Sequence, residues 1–428
     1  MPPSAIRRHL LALAVLVVAA WAALTAHPAA PRAAQPPQVP PRTAPATRDV
    51  RALWVTRTTL ATPAAIERMV AAARQGGFNT LLVQVRGRGD AYYASTLEPR
   101  AAGLADRPAA FDPLADVLER AHAAGLSVHA WVNVNLVGSA VTPPIAPAHV
   151  LVRHPEWLMV PRALAASLRG TSPTSKAYVA RVAAWTRAHG NEVEGLYVSP
   201  IHQAAAEHAA AVTGDLARRY ALDGIHVDYV RFPGDGFDYS APALAAFRAV
   251  LDRELTPADQ RALSARQARD PLAATTIYAE RWAAFRRSRL TALVMRVRTA
   301  VKTARPSIVL SAAIRPEVEM ATDGKLQDWR TWVDQGLLDV ICPMAYATDP
   351  VTFSRDVAAV RDLAGDRPVW AGIGAWRLTR AQTLAHVAAA RRLGVQGTIF
   401  FSYEALVTPP NTAASLAALG RAAFGGTD

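Results

Sequence analysis

From residue 51 onward, short β-branched and aliphatic runs alternate with longer Ala-rich stretches whose apolar positions recur at helical spacing. The runs Ala52–Thr56, Thr80–Arg86, Ser127–Asn133, Gly224–Val230, Ile308–Ile314, Asp339–Met344, Val369–Ile373 and Gly397–Phe401 predict eight strands. A weaker run, Gly195–Ser199, falls in the third strand-to-helix connection. Helices are predicted over Ala64–Gln75, Pro113–Ala124, Ala204–Tyr220, Tyr278–Thr303, Leu326–Gln335, Val351–Leu363 and Arg380–Arg392, several closing on glycine as left-handed caps require. This alternation predicts a parallel sheet with crossover helices, and eight units predict a (β/α)8 TIM barrel with enlarged βα loops. A doubly wound sheet is the alternative. It calls for a Gly-rich turn after the first strand, where this chain has Arg57-Thr-Thr-Leu-Ala-Thr-Pro. Three connections, Gly87–Asp112, Leu136–Val193 and Phe232–Thr276, are long and follow strands, which puts them on a barrel's catalytic face.

The first 48 residues break the pattern. Arg7 and Arg8 precede an apolar run from Leu10 to Leu24, so residues 1–26 read as a signal peptide or an N-terminal anchor. Either reading exports the body, to the periplasm, the extracellular space or the outer face of the cytoplasmic membrane. Residues 27–48, rich in Pro and Ala, read as a disordered linker. Residues 49–425 are then a catalytic domain expected to act as a monomer.

Composition narrows the classes. Of 428 residues, 51% are hydrophobic, too many for a disordered chain. The single cysteine, Cys342, excludes a disulfide scaffold or a Cys-cluster zinc site and sits in an apolar run as a buried small residue. The net charge is +13, five of it within residues 1–48. The arginines of the body are dispersed along helices and no nucleic-acid module is recognisable, so no nucleic-acid partner is expected. A metal-dependent barrel hydrolase needs converging His or carboxylate ligands; the first strand lacks a His-x-His pair, and no metal or cofactor is expected.

Candidate chemistry gathers where strands end. In Asp223-Gly-Ile-His-Val-Asp-Tyr-Val-Arg, alternation places His226 and Asp228 on one face, with Arg231 beyond. An inward carboxylate is costly unless it is used or tied to backbone amides. The second strand ends in Gln84-Val-Arg-Gly-Arg-Gly-Asp-Ala-Tyr-Tyr, which offers Arg86, Asp90 and Tyr92 for sugar hydroxyls or carboxylates, or an Arg86–Asp90 loop clasp. The third offers Asn133 and Asn135, the fifth Arg315 and Glu317, the sixth Tyr346 and Asp349, the seventh Trp376, and the eighth Tyr403 and Glu404. Carboxylates and aromatics around one cleft suit a glycosidase, in which one carboxylic acid protonates the leaving oxygen and a second carboxylate acts as base or nucleophile. On this reading Asp228 is nucleophile or base, and Glu317 the general acid ahead of Asp349 and Glu404. The alternative is a non-catalytic carbohydrate-binding barrel. Stereochemical outcome stays open.

The chain resembles the glycosyl hydrolase-like 10 family. The resemblance is carried by Arg51-Ala-Leu-Trp-Val, by Phe78-Asn-Thr-Leu-Leu-Val-Gln-Val-Arg-Gly-Arg-Gly-Asp-Ala-Tyr-Tyr, by His129-Ala-Trp-Val-Asn, by Asp223 to Pro233, by Asp328-Trp-Arg-Thr-Trp and by Gly336 to Tyr346, in that order. It implies an exported (β/α)8 glycosidase acting on bacterial cell-wall glycan, with Asp228 as leading carboxylate and Arg86, Asp90, Asn133 and Tyr346 in the site. Two positions depart from the family pattern: Tyr229 stands where many relatives carry a second acid, and Ser199 where relatives often carry Asp.

Overall fold

The computed structural model describes residues 49–425; the expected leader and linker, residues 1–48, lie outside the described residues. Ten strands occur in chain order: β1 (Val50–Val55), β2 (Thr80–Arg86), β3 (Ser127–Asn133), β4 (Leu136–Gly138), β5 (Leu196–Tyr197), β6 (Gly224–Asp228), β7 (Val309–Ile314), β8 (Val340–Ala345), β9 (Trp370–Ile373) and β10 (Gly397–Phe401). Eight of them close a barrel in the order β1-β10-β9-β8-β7-β6-β3-β2, every pair parallel. The closed barrel excludes the doubly wound alternative. The short β4 and β5 pair antiparallel outside it.

Period-2 alternation builds two cores from the same strands. One set of side chains faces inward: Ala52, Trp54, Leu82, Trp131, Val340, Cys342, Trp370 and Ile399 fill the interior. The intervening set, such as Leu53, Val55, Leu81 and Val83, packs under the surrounding helices. Each such aliphatic side chain contributes roughly 1.5–3 kcal/mol on leaving water.

The helices start on side-chain caps. Thr62, Asp112, Ser240 and Thr379 accept backbone N–H bonds at the first turns of Pro63–Gln75, Pro113–Ala123, Ala241–Asp252 and Arg380–Arg392. The crossover helices Gln203–Arg219 and Ala279–Ala304 pack closely, with Gly214 set against Ala300.

Two connections that sequence leaves as structureless loops are folded. The segment after β3 carries β4, β5 and the helix Lys176–Ala188 around a small core of Val137, Trp157, Leu158, Tyr178 and Val182. The segment after β6 carries helices Ala241–Asp252, Pro257–Arg269 and Ala273–Ile277, closed on Trp282 with Phe247, Leu251 and Leu263. Buried Asp238 ties the two excursions together, accepting from Val160 N and Ser240 N at 2.8 Å each, while Tyr239 N donates to Val160 O. Between the excursions lies a cavity of about 400 Å³ lined by Leu168, Tyr178, Tyr239, Leu244 and Arg248, and no strand-end group enters it.

Candidate active site

Asp228 is the last residue of β6 and is 6% exposed. The strand stops there because Tyr229 turns left-handed, with φ 49°, a conformation that costs a non-glycine residue of order 1–3 kcal/mol. The turn aims the Tyr229 N–H back at the preceding side chain, and Asp228 Oδ1 accepts it at 2.6 Å. Arg231 Nη1 lies 3.3 Å from the same oxygen. Burial raises the Asp228 carboxyl above its ordinary value; Arg231, the Tyr229 amide and the Trp131 indole offset only part of that rise.

The guanidinium of Arg231 is a fork. Its Nη2 lies 3.5 Å from Glu194 Oε1, and its plane stacks over the Tyr229 ring at 4.1 Å. Glu194 therefore stands across one guanidinium from Asp228. The Tyr197 hydroxyl donates to Glu194 Oε2 at 2.7 Å. Burial pushes Glu194 upward, but Arg231 and the Tyr197 hydroxyl outweigh it and leave the carboxyl below its usual range. Its side chain is 38% exposed, so it faces solvent from the rim.

Local sequence explains how Glu194 arrives there. It precedes β5, and Gly195 lets the chain press against the Gly138 carbonyl and the Arg88 guanidinium, where a Cβ has no room. Arg88 Nη1 in turn reaches the Glu194 carbonyl at 3.2 Å. Asn135 straps the β5 segment to the barrel: its Nδ2 donates to Val198 O at 3.0 Å, while its backbone N–H reaches Tyr229 O at 3.2 Å.

An aromatic wall stands beside this pair. Trp131 meets Phe401 at 6.3 Å between ring centroids, Phe401 meets Trp376 at 5.3 Å, and Trp376 meets Tyr346 edge-on at 4.9 Å. Trp376 is 44% exposed and offers a face to solvent, whereas Tyr346 is half-buried within reach of the Asp228 charge. A flat apolar face next to a buried carboxyl suits a sugar ring and its glycosidic oxygen.

The remaining sequence candidates divide. Arg86 is buried and used up: its Nε lies 2.9 and 2.7 Å from the two oxygens of Glu98, and its Nη1 reaches the carbonyls of Asn133 and Val134. It is a clamp on β3 rather than a substrate contact, and its partner is Glu98 rather than Asp90. Asp90 accepts from the Arg88 backbone N–H at 3.0 Å. Asn133 spends its amide on Gly87 O at 2.9 Å. His226 is fully buried in the barrel between Trp54 Nε1, 3.1 Å from its Nε2, and Ser311 Oγ, 2.9 Å from its Nδ1; burial drops it to about 3, so it is a neutral interior residue. Asp349 caps the helix Pro350–Leu363 through Val351 N and Thr352 N. Glu404 is held by Thr56 N and the Thr59 hydroxyl. Tyr92 and Tyr403 are largely buried. Glu317 pairs with Arg315 at 3.5 Å, both 40% or more exposed, and the charges acting on Asp228 come from Arg231 and Glu194 instead. The carboxylate that shares Arg231 with Asp228 is Glu194 rather than Glu317. Among the described residues no group of three or more His, Cys, Asp or Glu side chains converges as a ligand set.

A closed parallel barrel with a carboxyl at a strand end and an aromatic wall defines the architecture of the TIM-barrel glycosidases. The chain belongs to the glycosyl hydrolase-like 10 family, whose profile matches residues 49–373. It is similar to "Glycosyl hydrolase YngK" of Bacillus subtilis, 22% identical over 63% of this chain and 46% of that protein. It is also similar to "Glycosyl hydrolase DigH" of Escherichia coli, 23% identical over 67% of this chain and 58% of that one. The chain thus spans about half the length of these curated relatives. Among solved structures, the PgaB (BpsB) glycoside hydrolase domain from Bordetella bronchiseptica superposes with TM-score 0.58 at 18% identity, covering 87% of this chain and 98% of that one. The β-amylase catalytic domain from Paenibacillus polymyxa superposes with TM-score 0.60 at 10% identity, over the same shares.

Proposed function

We propose that this protein is an exported glycoside hydrolase that cleaves O-glycosidic bonds in a polysaccharide, with cell-wall glycan of the peptidoglycan type as its substrate class. The observation that carries the reading is Asp228: a carboxyl at the end of the fourth barrel strand, beside an aromatic face, held toward its protonated form by burial. A carboxyl in that state suits the general acid, reversing the ionised role that sequence alone assigns it. The proton moves from Asp228 to the glycosidic oxygen as the bond to the anomeric carbon breaks and its electron pair stays on that oxygen. Export rests on the charged and apolar leader in the sequence.

The test is release of reducing ends from glycan strands stripped of stem peptides. Asp228→Asn keeps the shape and removes the proton, and the rate is expected to fall about 10²–10⁴-fold. Equal release by wild type and variant counts against the acid role. Binding of strands without any release would identify a carbohydrate-binding barrel.

A further inference from the structure

We propose that Glu194, carried on the excursion outside the barrel, is the second catalytic carboxylate: the general base that activates water opposite Asp228, giving inversion at the anomeric carbon. This rests on the reading of Asp228 as acid.

The geometry is specific. Arg231 reaches Asp228 with Nη1 and Glu194 with Nη2, so one guanidinium stands between the two carboxyl groups. A base that takes a proton from water, rather than bonding the anomeric carbon itself, gives inversion. Glu194 has the solvent access a base needs, at 38% exposed, whereas Asp228 is enclosed. Tyr197 fixes the outer oxygen of Glu194, and Arg88 with Gly195 fixes its backbone. In the step, Glu194 accepts a proton from water as the water oxygen bonds the anomeric carbon. The departing sugar oxygen takes the proton of Asp228. The net change is addition of one water across the bond.

The charged and titratable groups facing the pair are Arg231, Lys325, Arg88, Tyr197, Tyr229 and Tyr346. Arg231, the Tyr197 hydroxyl and Lys325 lower Glu194 against its burial, whereas burial, with the Glu194 charge behind it, raises Asp228 against Arg231. The rate on stripped glycan strands therefore follows a bell, its acid limb set by Glu194 and its alkaline limb by Asp228. Glu194→Gln is expected to lower the plateau rate at least about 100-fold and to abolish the acid limb. It also removes a negative charge that raises Asp228, so the alkaline limb moves to lower pH.

Azide needs no base to attack. Azide added to Glu194→Ala is expected to restore bond cleavage as a glycosyl azide, and to leave Asp228→Asn unrescued. Proton NMR of the first released ends is expected to record the inverted anomer. A folded Glu194→Gln within threefold of wild type, an unrescued Glu194→Ala, or a retained anomer overturns the assignment of Glu194 while an inactive Asp228→Asn leaves the glycosidase reading standing. Strands left intact by wild type overturn both.

Discussion

Arg86 and Arg231 are both buried cations beside strand ends, and what each touches separates their roles. Arg86 is closed in by Glu98 and two carbonyls; Arg231 shares itself between Asp228 and Glu194. Sequence puts both near strand ends, but Arg86's partner lies twelve residues on, behind the loop glycines. Burial works to raise Glu98, yet Arg86 and His208 pull it down to about 2 from 4.5. Because the folded value is depressed, this stabilisation is present above 4.5 and is lost as pH falls toward about 2. Glu98→Gln leaves a buried arginine without its counter-charge, and urea unfolding at neutral pH is expected to record a loss of about 3–5 kcal/mol. A loss under about 0.5 kcal/mol, typical of a surface change, would contradict the clamp. Asp228 was legible because an inward acid on a strand is unusual. Glu194 was not, since it lies between a helix and a two-residue strand where no period exists. Its one signal was Glu194-Gly195 directly ahead of the apolar Leu196-Tyr197-Val198.

At the scale of elements, all eight predicted barrel strands form, and the differences are local. The fourth ends at Asp228 rather than Val230, because a tyrosine adopts a conformation that sequence normally reserves for glycine. The two long connections hide helices whose apolar faces close on each other rather than on the barrel, so their pattern is weak along the chain. The helix Ala413–Phe424, not anticipated, packs on Pro63–Gln75, and Gly420 sits directly on the Gly76 carbonyl. A Cβ there meets backbone, which cannot swing aside as a side chain would. Gly420→Ala is expected to cost about 1–3 kcal/mol, read as a lower denaturant midpoint with unchanged slope. An unchanged midpoint would mean the two helices separate freely.

Across the whole molecule, the +13 charge resolves into a dispersed background and a small group at the mouth. Arg88, Arg231 and Lys325 crowd the carboxylate pair, with Arg315 bearing on Lys325 from the rim. Composition could not separate this group from the rest, because only the fold brings residues 88, 231, 315 and 325 to one end. An anionic glycan is expected to bind less well as salt shortens the screening length from about 10 Å at 0.1 M to about 3 Å at 1 M. The measurement is KM against ionic strength for a carboxylated glycan and its neutralised ester, with Arg315→Gln flattening the slope. Equal slopes for both substrates would leave the rim charges without a role in binding.

The barrel's seam joins opposite ends of the chain, Val50 pairing with Gly397 and Trp54 with Phe401. A chain lacking the last strand would lose more than five residues of sheet. β1 and β9 would each bare a row of backbone donors and acceptors, and such edges recruit other chains. Shortening this protein from that side trades a weaker fold for self-association: in a closed circle no strand is dispensable, because removing any one creates two adhesive margins.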